Sequence, residues 1–110
     1  MTNRETALEY LRYFCAGDID GLSRLFTADL ILDGPFHQFS SAEDYLQSLR
    51  NTPPETSNYK LLSITDSDDE VALFYDYIKP HQRVRIAQCF RFRRQQISEI
   101  LLIFDTRSIT

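Results

Sequence analysis

Apolar residues near the start of the chain recur at the spacing of an amphipathic helix. The i, i+3, i+4, i+7 positions of this stretch are Ala7, Tyr10, Leu11 and Phe14. Thr2 and Glu5 stand ahead of them as a capping box, in which each side chain bonds the other residue's backbone N–H. Gly17 follows as the residue that ends the helix, because glycine takes the left-handed cap conformation without strain.

Two further helices and a short strand are predicted before residue 52. Asp18 is the expected N-cap of a second, short helix, whose inward residues are Leu22, Leu25 and Phe26. A brief apolar strand at 30–32 stops at Gly34-Pro35. A second capping box over Ser40–Glu43 opens the third helix. The apolar residues of that helix are Tyr45, Leu46 and Leu49.

The chain after a Pro-rich loop at 51–58 alternates as strands do. The predicted strands are Tyr59–Thr65, Val71–Lys79, Arg83–Arg93 and Ile97–Thr106. Three helices followed by consecutive strands indicate an α+β fold, a curved antiparallel sheet with the helices packed on one face. The length of 110 residues predicts a single domain over residues 1–110.

Composition narrows the classes of function. The net charge of −4 disfavours a surface that binds nucleic acid. No apolar run approaches the roughly 18 residues of a membrane span, and no basic-then-apolar leader opens the chain, so we expect a soluble cytoplasmic protein with no membrane partner. Cys15 and Cys89 lack metal-site spacing and are expected to be reduced thiols. We expect no metal and no cofactor, since no Gly-rich phosphate loop is present either.

Charged residues crowd one face of the strand at 83–93. The arginines that share strand parity with Ala87 and Cys89 are Arg85, Arg91 and Arg93. Pairing with Asp76 or Glu99 on neighbouring strands is the first interpretation of this face. A sheet-to-sheet dimer interface is a further one, because Ala87 and Cys89 would leave its centre flat.

Several stretches resemble a known family in their order and spacing. They are Ala16–Gly21 (AGDIDG), Leu25-Phe26, Asp33-Gly34-Pro35, Gln88–Phe92 (QCFRF) and Leu101–Asp105 (LLIFD). Together they resemble ketosteroid isomerases and, more broadly, the SnoaL-like members of the nuclear-transport-factor-two-like superfamily. The resemblance covers nearly the whole chain. It implies a cystatin-like cone, in which a highly curved sheet wraps around helices and leaves a pocket at the wide end. It also implies a homodimer, since homodimers are common in such families.

The resemblance carries over only one of the three isomerase catalytic positions. Tyr10 stands eight residues before Asp18, as the oxyanion-hole phenol does in the isomerases. The isomerase base is an aspartate just before the proline, and that position is Gly34 here. The second oxyanion donor is a protonated aspartate, and that position is Gln88 here. Ordinary steroid isomerase activity is therefore not expected.

The matched positions predict a pocket with a polar end. We expect Tyr10 and Gln88 to bind a carbonyl or similar oxygen, because a phenol and an amide both donate hydrogen bonds while neutral. The alternative is that both are satisfied core residues. The residues predicted to line the pocket are Tyr10, Phe14, Phe36, His37, Phe39, Gln88, Phe90, Phe92 and Phe104.

A catalytic base is harder to assign, and three hypotheses on function follow. Asp105 is the first candidate, because it resembles an aspartate base near the end of SnoaL-like cyclases and epoxide hydrolases. His37 and then Asp33 come next. The first hypothesis is a module that binds a small apolar or aromatic molecule. The second is a cofactor-free isomerase, cyclase or hydrolase with Tyr10 as a donor and Asp105 or His37 as the base. The third is an interaction domain whose cone is filled by its own aromatic residues.

Overall fold

Three helices and a six-stranded sheet make up the fold. A computed structural model describes residues 1–109 of the chain. The helices are α1 (Asn3–Ala16), α2 (Ile19–Ser23) and α3 (Ala42–Asn51). The strands are β1 (Phe26–Asp33), β2 (Gln38–Phe39), β3 (Asn58–Ser67), β4 (Glu70–Lys79), β5 (Gln82–Arg93) and β6 (Gln96–Phe104), and a short 3₁₀ helix follows at Thr106–Ile109. The α+β class expected from the sequence is confirmed.

Local signals set the ends of the first two helices as predicted. The Thr2 and Glu5 side chains form both hydrogen bonds of the capping box. Gly17 ends α1 in the left-handed region at φ 71°, and the Asp18 side chain accepts a 2.8 Å hydrogen bond from the Gly21 N–H. These caps hold α1 and α2 at a fixed angle, so that the buried face of α1 lies against the sheet.

The start of α3 and the bounds of the strands differ from the prediction. Ser41 rather than Ser40 is the N-cap of α3, because its hydroxyl accepts the Asp44 N–H at 3.1 Å. β1 begins at Phe26, so this residue is inward-facing as predicted but lies on a strand instead of a helix. The last strand ends at Phe104, where the chain turns into the 3₁₀ helix.

The sheet is mixed, which corrects the all-antiparallel prediction. Its strand order is β2-β1-β6-β5-β4-β3, and β1 pairs with β6 in parallel. A parallel neighbour requires a long connection, and the segment from α3 through three hairpin strands supplies it. Register shifts in β1, β3 and β6 mark bulges, which bend a sheet. The sheet is open, and it curves around α1 and α3 as a cone.

The core lies between the concave face of the sheet and the helices. The aromatic members of this buried set are Tyr10, Phe26, Tyr45, Tyr75, Phe90 and Phe92. The longest helix, α1, has 14 residues, and within residues 1–109 we find no helix with the length and apolar composition needed to cross a bilayer. The concave face therefore determines where a site can lie.

The outer face of the sheet carries ion pairs that the sequence predicted. The Arg85 guanidinium bonds both carboxylate oxygens of Asp76, at 2.9 and 3.3 Å, and Arg91 lies 3.5 Å from Glu99. Arg91 also bonds Glu70 at 3.2 Å, and Arg93 pairs with Asp29 on β1. The arginines thus lie in a solvated and paired face, as expected.

Because of the Asp76–Arg85 pair, we expect part of the folding stability to be lost in acid. Hydrogen bonding from Arg85 lowers the pKa of Asp76 below its ordinary value of 3.8. The folded state therefore binds this proton less well than the unfolded chain, so the pair stabilises the fold above about pH 4 and loses this effect as pH falls through the lowered pKa. Asp76→Asn should reduce the denaturation midpoint at neutral pH, and the difference from wild type should shrink at lower pH.

Chemical denaturation between neutral pH and pH 2 measures this difference. Asp69→Asn is the matched control, because Asp69 lies exposed in the β3–β4 turn without a side-chain ion pair among the described residues. An Asp76→Asn deficit that stays constant down to the lowest pH would contradict the assignment.

Candidate functional site

An inner chamber lies between the sheet, α1 and α3. It has a volume of about 170 Å³. Its walls are formed by Tyr10, Phe14, Tyr45, Tyr75, Tyr77, Lys79, Val84, Ile86, Gln88, Leu102 and Phe104. Four of these side chains are tyrosines. The wall is therefore apolar in area but has hydroxyl groups at several points.

An outer chamber of about 350 Å³ adjoins it. The residues common to both chambers are Phe14, Tyr45, Leu102 and Phe104. The outer chamber is completed by the segment between β1 and β2, which includes Gly34 and His37, and by the inward side of α3. Because the two chambers share walls, they form adjoining parts of one concave site.

Side chains alternate between the two faces of the sheet, so alternate residues in parts of β4 and β5 lie on the inner wall. On β4, Tyr75, Tyr77 and Lys79 are two residues apart and face the chamber, as Val84, Ile86 and Gln88 do on β5. In the register of these strands, Tyr75 pairs with Ile86 and Tyr77 with Val84. The opposite wall comes from Tyr10 and Phe14 on α1, which are one helical turn apart.

Four polar side chains form a network at the buried end of the inner chamber. The hydroxyl oxygens of Tyr10 and Tyr45 are 2.7 Å apart. The Tyr75 hydroxyl donates to the Gln88 Oε1 at 2.6 Å. Burial raises the pKa of Tyr10 to about 12, against opposing hydrogen bonds from Tyr45 and Gln88. Gln88 thus links Tyr75 to the Tyr10–Tyr45 pair, since its Oε1 accepts from Tyr75 and its hydrogen bonding lowers the pKa of Tyr10 against the effect of burial.

The Tyr10 and Tyr45 hydroxyls carry more hydrogens than their mutual hydrogen bond uses. Tyr10 and Tyr45 share one hydrogen bond but carry two O–H hydrogens. The hydrogen bond between the two oxygens uses only one of these hydrogens. Burial also raises the pKa of Tyr45 and Tyr75 well above the ordinary value, so these phenols remain neutral donors. The wall therefore offers a hydrogen-bond donor to an acceptor atom in the chamber.

The structure places seven of the nine predicted pocket residues on the chamber walls. Tyr10, Phe14, Gln88 and Phe104 line the inner chamber, and the outer chamber adds Phe36, His37 and Phe39. Phe90 and Phe92, by contrast, are buried in the core and line neither chamber. Phe90 lies behind the network, where its ring meets that of Tyr10 edge-to-face at 5.1 Å.

Asp105 lies outside both chambers, contrary to its predicted role as a base. On β6, Leu102 and Phe104 face the chambers, whereas Leu101 and Ile103 are exposed on the other face. Asp105 follows the strand, and it is exposed and bound to Arg107 at 3.0 Å. Hydrogen bonding from Arg107 lowers the pKa of Asp105, which makes the carboxylate a weaker base. Neither its position nor its basicity fits proton abstraction in the site.

The segment before α3 brings His37 to the site but not Asp33. The His37 ring lines the outer chamber and lies 6.0 Å from the Phe39 ring. Asp33 is exposed, accepts a 3.1 Å hydrogen bond from Gln38, and lines neither chamber. Gly34 does line the outer chamber, and a Cβ atom there would lie 3.6 Å from the Leu102 side chain. Gly34 occupies the position that holds the base in the isomerases. This position thus faces the site, but it carries no carboxylate.

Sequence reasoning missed the polar residues of the inner wall other than Tyr10 and Gln88. They are Tyr45, Tyr75, Tyr77 and Lys79. The last three recur with a period of two along a predicted strand, and this signal could have placed them with one another. Tyr45 was expected only as an apolar residue of a helix, because periodicity does not reveal that its hydroxyl meets Tyr10.

Comparisons with known proteins agree with the fold. A model of the SnoaL-like domain matches residues 7–100. No curated protein matches the chain in a comparison of sequences. An NTF2-like protein of unknown function from Cytophaga hutchinsonii has a similar structure, with a TM-score of 0.86 at 16% identity over 99% of this chain and 95% of the other.

Two further solved structures have the same fold at low identity. One is a hypothetical protein from Catenulispora acidiphila with a ketosteroid isomerase-like fold, in complex with trimethylamine, with a TM-score of 0.83 at 19% identity over 98% and 91% of the two chains. The other is an LEH-like epoxide hydrolase from M. tuberculosis, with a TM-score of 0.81 at 16% identity over 96% and 84%. At these identities the similarity extends to the fold alone.

Proposed function

The chain belongs to the SnoaL-like domain family, of the NTF2-like superfamily, and on that premise we propose that it binds a small, mainly apolar molecule in the two chambers. The ligand has an acceptor oxygen that takes a hydrogen bond from the Tyr10–Tyr45 pair. Aromatic and aliphatic side chains contact the rest of it. Such a site, apolar with a few placed polar groups, has the usual composition of a small-molecule pocket.

One observation carries this proposal. The inner chamber is lined by two tyrosine hydroxyl groups that share one hydrogen bond and carry two O–H hydrogens between them. A buried donor without a partner costs about 1–3 kcal/mol. A ligand oxygen recovers that free energy, whereas a purely apolar molecule leaves the donor unpaired. The proposal therefore selects ligands with an acceptor over apolar molecules of the same shape.

A flat bicyclic ketone, 2-acetylnaphthalene, is a suitable probe because it has one acceptor oxygen and no donor. We expect the double variant Tyr10→Phe/Tyr45→Phe to bind it about tenfold more weakly than wild type, the value of one hydrogen bond of about 1.4 kcal/mol. Each single variant should lose less, since the remaining hydroxyl is released from the pair and can donate to the ketone. Isothermal titration calorimetry measures these affinities.

Two controls separate the hydrogen bond from general effects of substitution. Tyr59→Phe removes a phenolic oxygen outside both chambers and should leave the affinity for the ketone unchanged. The oxygen-free analogue 2-ethylnaphthalene should bind wild type and the double variant equally. Equal affinity of wild type and the double variant for the ketone would refute the role of the Tyr10–Tyr45 pair. If neither probe binds to wild type, the proposed binding function itself is refuted.

A second candidate is proton transfer in the same site with His37 as the base. It is favoured by one observation, the position of the His37 imidazole in the outer chamber next to the walls shared with the inner one. A phenolic donor at the carbonyl and an imidazole at the α-carbon would together favour enolisation.

The methyl ketone also tests this candidate. In D₂O an enzyme of this kind exchanges the methyl protons of 2-acetylnaphthalene, and we expect His37→Asn to slow the exchange at least about 100-fold, the usual contribution of a general base. Proton NMR follows the exchange. His81→Asn is the control, because His81 lies exposed in the β4–β5 turn. Binding of the ketone without exchange above the buffer rate would leave the binding module as the function.

A further inference from the structure

Lys79 contributes a cation to the inner chamber. It is the last residue of β4, and its half-buried side chain lines the chamber together with Tyr75 and Tyr77. Among the described residues, no carboxylate lies within ion-pair distance of its ammonium group, although the arginines of the outer face are paired. A lysine that faces an apolar chamber without a counter-ion is available to an anion from outside.

The walls of both chambers carry no acidic side chain in the part of the chain that the structure describes. This is a property of the site and not of the protein as a whole, since the chain has 16 Asp and Glu residues against 12 Lys and Arg. The ionisable side chains on the walls, other than the tyrosines, are Lys79 and His37. The local charge is therefore opposite in sign to the net charge.

The cation and the hydroxyl network lie at opposite ends of the inner chamber. The Gln88–Tyr75 hydrogen bond is at the buried end, where Gln88 pairs with Leu73 in the sheet. Lys79 lies four residues beyond Tyr75 along β4, about 13 Å at the usual rise per residue. Exposure increases in that direction, from the buried Tyr75 to the half-buried Tyr77 and Lys79. Lys79 therefore marks the open end.

We propose that the ligand of this site is an elongated organic acid, with its carboxylate bound by Lys79 and an apolar body that extends inward to the hydroxyl network. Because Lys79 and the hydroxyl network line the same chamber, the body between the two polar ends is on the order of 10 Å long, roughly the length of a bicyclic aromatic system. This inference rests on the proposed function and adds the charge and orientation of the ligand. The tyrosine hydroxyls then meet the neutral end of the molecule.

Two probes of equal shape test the charge. At pH 7.5, 2-naphthoate should bind wild type about five- to tenfold more tightly than 2-naphthamide, as expected for one charge-assisted hydrogen bond at a partly exposed site. Lys79→Met should abolish the preference by weakening the acid alone, and Lys79→Arg should keep it. Added salt should reduce the preference in wild type. Lys60→Met on β3 is the matched control, because Lys60 is exposed and lines neither chamber.

The possible outcomes separate this inference from the function on which it rests. Equal affinity for naphthoate and naphthamide, with binding of 2-acetylnaphthalene intact, overturns the acid proposal and leaves the binding function. A preference that survives in Lys79→Met also overturns it, since another group then holds the carboxylate. If wild type binds none of the three probes, the proposed function fails and the acid proposal fails with it.

Discussion

Phe90→Ala is expected to lower the free energy of unfolding by about 3–5 kcal/mol, the range for truncation of a buried phenylalanine. Phe90 is 0% exposed and lies on β5, between β4 and β6. Its ring supports Tyr10 from behind at 5.1 Å. The loss combines the apolar contacts of the ring with a cavity that the packed strands cannot close. It would remove a large fraction of the stability of an ordinary domain, which is about 5–15 kcal/mol.

Phe36→Ala is the matched control, since the same atoms are removed from a side chain that is 55% exposed. It keeps one edge-to-face contact, with Phe104 at 5.5 Å, so a loss of about 1 kcal/mol or less is expected. Guanidinium denaturation should shift the midpoint strongly for Phe90→Ala with an unchanged slope. Similar losses for the two variants would mean that Phe90 is not packed as described.

The contrast between Phe90 and Phe36 shows a structural difference that sequence patterns do not predict. Both were predicted in the pocket, because strand parity and an apolar neighbourhood cannot separate a residue that lines a cavity from one that fills the core behind it. That difference depends on the depth of each residue along the cone. Depth is set by strand pairing between segments more than 60 residues apart, such as β1 with β6.

Local signals, in contrast, predicted local structure well. Hydrogen bonds at Thr2 and Asp18 and the left-handed Gly17 confirm the first two helix boundaries, because each depends on residues at most four apart. The position of Asp105, however, could not be predicted from local sequence signals. Both parities of β6 are apolar, since one faces the chambers and the other forms an exposed patch, so alternation does not tell which way the strand end points.

That exposed patch lies on the outer face of β4, β5 and β6, and we call it the outer patch. Its residues are Ala72, Phe74, Ala87, Cys89, Leu101 and Ile103. Phe74, Ala87 and Ile103 pair across the three strands in one row, and the next row is formed by the other three. Phe74 and Ile103 are 51% and 57% exposed. A contiguous apolar patch with a flat centre on a solvated face is typical of an interaction surface.

We propose that a second copy of the chain covers the outer patch. The ion pairs that flank it, Asp76 with Arg85 at one end and Arg91 with Glu70 and Glu99 at the other, carry both signs at each end. Two such faces related by a twofold axis therefore meet without a net repulsion of like charges, and the apolar rows meet at the centre.

Ile103→Glu should convert this dimer to a monomer. The substitution places a carboxylate in the apolar row of the interface, where the partner would bury it without a counter-ion, so we expect the dissociation constant to rise at least about 100-fold, or about 2.8 kcal/mol. The fold should be unaffected, because the position is exposed in the single chain. Ile31→Glu is the matched control, an isoleucine 49% exposed on β1 outside the outer patch, and it should leave the mass unchanged. Sedimentation velocity over a dilution series measures both variants, and a wild-type chain that stays monomeric at the highest concentration would refute the interface.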